Sequence, residues 1–260
     1  MNAAAAAGLL EKIIETKRIE VSNLQDAELH SDMGARGIFK NALRRKPGKP
    51  IHVIAECKKA SPSMGLLKED YNPGYISKEY ARLGASAISI LTDKNYFQGD
   101  RSHLPLVKEC GLPVIRKDFI ISPAQIFESK SMGADAILLI VRILDDFQLR
   151  DFLEIASALH MDALVEIHNE KEMERALQSQ TEIFGINHRD LDTLTMNLDL
   201  TAKLAPVIRS ERKDAVIVAE SGVESTEGRM KVDAFADAIL IGTALMKSDN
   251  IETAWKKIFS

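Results

Sequence analysis

Short apolar runs rich in β-branched residues recur along the chain, each bounded by polar residues. They are IHVIA at 51, SAISIL at 86, PVIRK at 113, DAILLIV at 135, DALVEI at 162, IFGIN at 183, DAVIVAE at 214 and DAILIG at 237. Each gap between them holds one helix and two loops. Strands alternating with helices predict a parallel sheet. Eight such units in this length match a closed (β/α)8 barrel, a TIM barrel of the α/β class, better than an open sheet. An open sheet would usually carry shorter, more polar edge strands. Helix signals fill the gaps. Ser122 and Pro123 read as an N-cap followed by a first-turn proline, and Gly133 stops that helix. Gly84 and Gly111 punctuate in the same way.

Residues 1–50 differ. GLLEKIIETKRIEVSNL has helical apolar spacing and many charges, so it predicts an amphipathic helix outside the barrel count. Spacing alone leaves two placements open: a plug at the barrel bottom or a flap near its mouth. No Pro/Gly/Ser-rich linker divides the chain, so residues 1–260 are expected to form one barrel domain with residues 1–50 as an N-terminal helical extension.

Polar residues sit at the ends of the apolar runs. Side chains alternate along a strand, so Glu56 and Lys58 point the same way, into the barrel, and Cys57 points toward the helices. Lys117, Glu166, Asn187, Arg189, Glu220 and Ser221 close other runs. In a barrel, inward residues at the C-terminal strand ends line the catalytic mouth. One charge past a strand is commonly a solvated loop residue. Both signs of charge at several strand ends predict a convergent pocket. Outward parity makes Cys57 a packed, inert thiol rather than a nucleophile. Gly222, Gly242 and Thr243 fall where barrels bind phosphate, after strands seven and eight, and Ser61 and Arg189 add a hydroxyl and a bidentate cation. His160, His168 and His188 are expected in loops or at strand ends, and the six histidines show no zinc spacing.

Composition narrows the classes. With 260 residues, 45% of them hydrophobic, the chain can bury one large core. A net charge of −4 gives no nucleic-acid footprint. No apolar run approaches the roughly 20 residues of a membrane span. The start MNAAAAAGLLEK lacks a positive n-region and makes a poor signal peptide. Two cysteines, Cys57 and Cys110, argue against a disulfide framework and for a cytoplasmic setting.

The motifs IAECKKASPS, ILTDKNYFQGD, VIRKDFI, LVEIHNEKE, GINHRDL, VAESGV and LIGTALM resemble, in order, those of indole-3-glycerol-phosphate synthase, and LLEKIIETKRIEV resembles that family's N-terminal extension. The resemblance implies ring closure, decarboxylation and dehydration of 1-(2-carboxyphenylamino)-1-deoxyribulose 5-phosphate to indole-3-glycerol phosphate in tryptophan synthesis. It implies no metal or organic cofactor. The implied partner is the small phosphorylated substrate, with other tryptophan-pathway enzymes as further candidates. By similarity, Lys117 is the general acid of ring closure and Lys58 the cation for the anthranilate carboxylate. Glu56, Lys58 and Glu166 are the contenders for dehydration. Asn187, Glu220 and Ser221 hold hydroxyls and polarise the lysines. Ser61, Arg189, Gly222, Gly242 and Thr243 bind phosphate, and Phe97, Phe119 and Leu138 wall the aromatic ring. Two departures stand out: His188 where the family shows Asn, expected to have a mild effect, and a segment before the last strand about one residue short, with Phe235 where the family tends to have Gly. Two rivals fit the residues: another phosphosugar barrel, such as an isomerase or a Schiff-base aldolase using Lys117, or a barrel that binds a phosphorylated ligand without turnover.

Overall fold

The computed structural model describes residues 8–24 and 33–260. The first residues of the stretch weighed as a signal peptide lie outside that range. Eight parallel strands close into a barrel: β1 His52–Cys57, β2 Ala87–Leu91, β3 Val114–Lys117, β4 Ala136–Ile140, β5 Asp162–Ile167, β6 Ile183–Asn187, β7 Val216–Glu220 and β8 Ala238–Ile241. Strand β8 pairs with β1, which completes the ring. All eight runs picked out by their apolar character are strands. The two-residue pieces Ala60–Ser61 and Gly65–Leu66 form a small antiparallel hairpin in the loop after β1.

Alternation within each strand separates two apolar layers. Ile54, Ile115, Leu164 and Val218 fill the barrel interior. Val53, Ala55, Cys57 and Ile90 face the surrounding helices. Two of the four Asp-Ala openings, at 135 and 237, share one structural reason. Asp135 Oδ2 accepts from Val114 N at 2.7 Å and Asp237 Oδ2 from Ile217 N at 2.8 Å. Each aspartate thus satisfies a backbone N–H at the start of a neighbouring strand, where the ladder offers no partner.

The helices follow their caps. Pro123–Ser131 begins at Ser122, whose Oγ accepts from Ala124 N, and Gly133 takes a positive φ of 88° just beyond it. Asp146–Ala158 opens on a capping box between Asp145 and Gln148. Thr226–Asp233, in the shortened segment, still forms a helix capped by Ser225, and Phe235 packs against the outer core. No described helix is long and apolar enough to cross a membrane.

The extension divides between both ends of the barrel. Helix α1, Leu9–Ser22, lies at the mouth, where Leu9, Leu10 and Ile13 reach the central cavity. Helix α2, Ile38–Leu43, closes the bottom: Phe39 and Leu43 are fully buried in the interior layer, and Lys40 N donates to Asp162 at the start of β5. Burying each of those two side chains contributes about 1.5–3 kcal/mol. The amphipathic helix read from the sequence is therefore the flap, and a second, shorter helix is the plug.

Candidate active site

Register brings the strand ends level. Asn187 pairs with Glu220, Ile140 with Glu166, and Leu91 with Lys117. Three carboxylates and two ammoniums consequently converge over the interior layer. Lys117 Nζ lies 2.6 Å from Glu220 Oε2, 3.7 Å from Glu56 Oε2 and 4.0 Å from Glu166 Oε2. Lys58 Nζ donates to Glu56 Oε1 at 2.5 Å. Glu220 is fully buried, and Lys117 is 15% exposed.

Absent side chains make this crowding possible. A Cβ on Gly185, in β6, would overlap Glu220 Oε1, and one on Gly242, just past β8, would overlap Glu56 Oε1. The close approach of Glu56 is a demand on Gly242 separate from its place in the expected phosphate loop. Gly185 was not singled out from sequence, because a glycine inside an apolar run shows its purpose only once the facing strand is known.

The charges perturb one another. Burial acts to lower the Lys117 pKa, but the Glu220, Glu56 and Glu166 carboxylates outweigh it and raise the value. A lysine lowered toward neutral pH is therefore not what the structure shows, because the three carboxylates dominate over burial. Burial raises Glu220 to about 7 against the pull of Lys117, with Glu166 and Glu56 adding repulsion. Burial also works to raise Glu166, yet the close contact and charge of His168, then Lys117, bring it down to about 2. For Glu56, Lys58 and Lys117 overcome burial and lower the pKa.

The cavity wall holds Glu56, Lys58, Lys117, Glu166, Asn187 and Ser221, together with Ser61, Arg189, Gly222, Gly242 and Thr243 of the expected phosphate group. Phe97, Phe119 and Leu138 line it too, with the Phe97 and Phe119 rings 6.2 Å apart. Glu220 is not on the wall; it stands behind Lys117 and touches the cavity through it. Ser221 has a φ of 65° and Gly222 a φ of 79°, so the chain turns sharply at the end of β7. Among the described residues no ion pair engages the half-buried Arg189, and its backbone N donates to Asn187 Oδ1.

One feature was not anticipated. Lys17 of α1 is 2% exposed and sits 2.8 Å from Asp93, 2.9 Å from Asp118 and 2.7 Å from Glu20. Its place on a charged helix hides it among ordinary surface lysines. His188 is buried with its ring against the helix Leu200–Glu211. The Ser221 carbonyl can only accept, so Nδ1 donates to it at 2.8 Å; Nε2 then accepts from the Thr201 hydroxyl at 2.7 Å. Burial lowers the His188 pKa, which suits this neutral tautomer. His188 thus faces away from the cavity, opposite to its neighbours Asn187 and Arg189 on the wall, which fits the mild effect expected of it. His160 instead occupies a half-buried turn after Asp146–Ala158, with a φ of 56°.

Comparison with known proteins adds an independent line. Residues 10–258 match the family model described as indole-3-glycerol phosphate synthase. The chain is 43% identical over 263 residues to the indole-3-glycerol phosphate synthase of Polaromonas naphthalenivorans, covering 96% of this chain and 98% of that one. It is 42% identical over 251 residues to the enzyme of that name from Pelodictyon phaeoclathratiforme, covering 93% and 96%. A thiamine phosphate pyrophosphorylase structure from Pyrococcus furiosus shares the fold, with a TM-score of 0.58, 15% identity, and coverage of 80% of this chain and 94% of that one.

Proposed function

Because the chain belongs to the indole-3-glycerol phosphate synthase family, we propose that the converging strand ends perform that family's reaction, with Lys117 as its general acid. The substrate is a small phosphorylated molecule, 1-(2-carboxyphenylamino)-1-deoxyribulose 5-phosphate. The ring carbon bearing its carboxylate attacks the ketone carbon, carbon dioxide leaves, and water is then lost to give indole-3-glycerol phosphate. Attack builds negative charge on the ketone oxygen. Lys117, held protonated by three carboxylates, supplies a proton there, and Glu220 behind it fixes the ammonium. Lys58, steadied by Glu56, faces the cavity as the cation for the departing carboxylate. Dehydration needs the alcohol protonated and a proton removed from the neighbouring carbon. Glu166, held ionised, suits the acceptor.

The observation that carries this reading is one ammonium within 4.0 Å of three carboxylates, beside an apolar slot. Phe97, Phe119, Leu138 and the α1 residues form that slot for the aromatic ring. Ser61, Arg189, Gly222, Gly242 and Thr243, on the same cavity wall, receive the phosphate. Residues 1–260 work as one domain, with the contacts of α1 and α2 at the two barrel ends as support, and two free thiols favour a cytoplasmic setting. The test is indole fluorescence on mixing purified protein with the substrate. Lys117→Met should lower turnover by at least about 10²-fold while the Michaelis constant changes little; Arg189→Ala should raise the Michaelis constant and spare turnover. A Lys117→Met variant retaining a tenth of wild-type turnover would remove Lys117 from the acid role. Borohydride trapping of an imine on Lys117 would favour the aldolase chemistry instead.

A further inference from the structure

Behind Glu166 lies a histidine that none of the steps above uses. The His168 side chain is 1% exposed, with Nε2 3.2 Å from Glu166 Oε1 and Nδ1 2.9 Å from Glu172 Oε2. Glu172, in the first turn of the helix Glu170–Leu177, is itself held fast. Its Oε2 also accepts from His168 N at 2.8 Å, and its Oε1 accepts from Arg142 Nε and Asn169 Nδ2, each at 2.9 Å. Nδ1 donates to Glu172 Oε2, and Nε2 lies 3.2 Å from Glu166 Oε1 without the alignment of a hydrogen bond; a carboxylate only accepts, so a protonated Nε2 is the form that suits this contact. A neutral imidazole has one donor and would turn a lone pair onto one of the two acids. Two carboxylates facing two nitrogens therefore select the imidazolium.

We propose that His168 is a positioning residue for the reaction: clamped by Glu172, it fixes the Glu166 carboxylate so that Oε2 faces Lys117. This rests on the placement of Glu166 at the reacting centre. The charged groups around the pair come from several elements, and Glu56 of β1 and Glu220 of β7 repel Glu166 across Lys117, which adds to the need for a cation on its other oxygen. Glu166 comes from β5, Glu172 from the following helix, Arg142 from the turn after β4 to back Glu172, and Lys117 from β3 to face Glu166; Asn187 from β6 is neutral. Burial acts to lower the His168 pKa, but the two acids raise it to about 9. With a cation fixed on one oxygen, Glu166 is an acceptor of protons and leaves the donor's role to the lysines.

The ring nitrogens of His168 can be read directly by 15N–1H spectra of the intact protein, identified by their loss in His168→Gln. Both should show imidazolium shifts at pH 7.5; a neutral tautomer there overturns the proposal. Loss of an opposite charge this close moves a carboxylate by about one pH unit or more. The acid limb of kcat against pH in folded His168→Gln should therefore rise by about that much. Its kcat at pH 7.5 should fall about tenfold with a Michaelis constant within about threefold of wild type. Glu172→Gln, which leaves His168 in place but unanchored, should shift the limb in the same direction by less. An unmoved limb in both variants overturns the clamp. Glu166→Gln separates the two readings. If it keeps wild-type turnover, the placement of Glu166 fails and the proposal falls with it; if it is inactive and His168 is neutral, the proposal alone fails.

Discussion

Replacing Lys17 with Met tests how the flap is held. The ammonium is 2% exposed and touches Asp93 and Asp118, side chains that are 0% and 2% exposed. Burial opposes its charge, yet Asp118 and Asp93 raise its pKa, so it is charged at any ordinary pH. Removing one partner of a buried pair costs about 3–5 kcal/mol, because the other charge stays buried and uncompensated. The two aspartates differ here. Asp118 keeps Arg116 at 3.0 Å and the Thr92 hydroxyl at 2.6 Å. Asp93 Oδ2 has no hydrogen bond besides the Lys17 contact, while Oδ1 caps Tyr96 N and Phe97 N. The loss therefore falls mainly on Asp93, at the low end, about 3 kcal/mol. For a chain of this length that corresponds to a Tm lower by roughly 6–12 °C. Lys17→Met/Asp93→Asn should recover about half of this, since asparagine still caps the helix Lys94–Phe97. Thermal melts of the three proteins give the answer, and the Michaelis constant should rise in parallel because α1 lines the aromatic slot. A Tm within 2 °C of wild type, or no recovery in the double variant, would refute the assignment of the cost to a stranded Asp93.

Gly185→Ala should drive a Cβ into Glu220, which is fully buried and cannot retreat; we expect a loss of about 1–3 kcal/mol by chemical denaturation and at least about tenfold lower turnover, as Glu220 releases Lys117. Wild-type turnover in that variant would show that Glu220 does not set the lysine. Cys57→Ala should cost on the order of 1 kcal/mol with unchanged turnover per folded molecule, because the thiol is fully buried in the outer layer and burial pushes its pKa well up; an inactive, folded variant would make Cys57 part of the chemistry. Burial works to raise the Asp118 pKa, but Arg116 and Lys17 bring it from 3.8 down to about 2. A depressed carboxylate stabilises the fold above pH 3.8 and loses that contribution as pH falls through 2, here roughly 2 kcal/mol. Asp118→Asn should flatten the acid-unfolding curve between those values, and an equally steep curve would count against the buried network.

The strand runs, the capped helix after Ser122 and the inward parity of Glu56, Lys58 and Lys117 were all legible along the chain. A strand's alternation and a helix's cap are local consequences of backbone geometry, so they need no neighbour to be read. Cys57 was placed outside the barrel on the same ground, and the structure buries it there. What only the tertiary structure decided concerns residues far apart in sequence. Nothing along the chain decided whether the amphipathic helix α1 was a plug or a flap, and α2 was not read as a helix at all, because which surface a helix covers is chosen by the closed barrel. Lys17 carries no signal along the chain, and only the barrel brings Asp93 and Asp118 over it. Gly185 acquired its purpose from Glu220 on the next strand, and His168 its charge from Glu172 one helical turn away. The Lys117 pKa was open for the same reason. Its sign depends on a sum over Glu56, Glu166 and Glu220, acids from three other strands, and a Coulomb sum is fixed by distances that exist only after the barrel has closed.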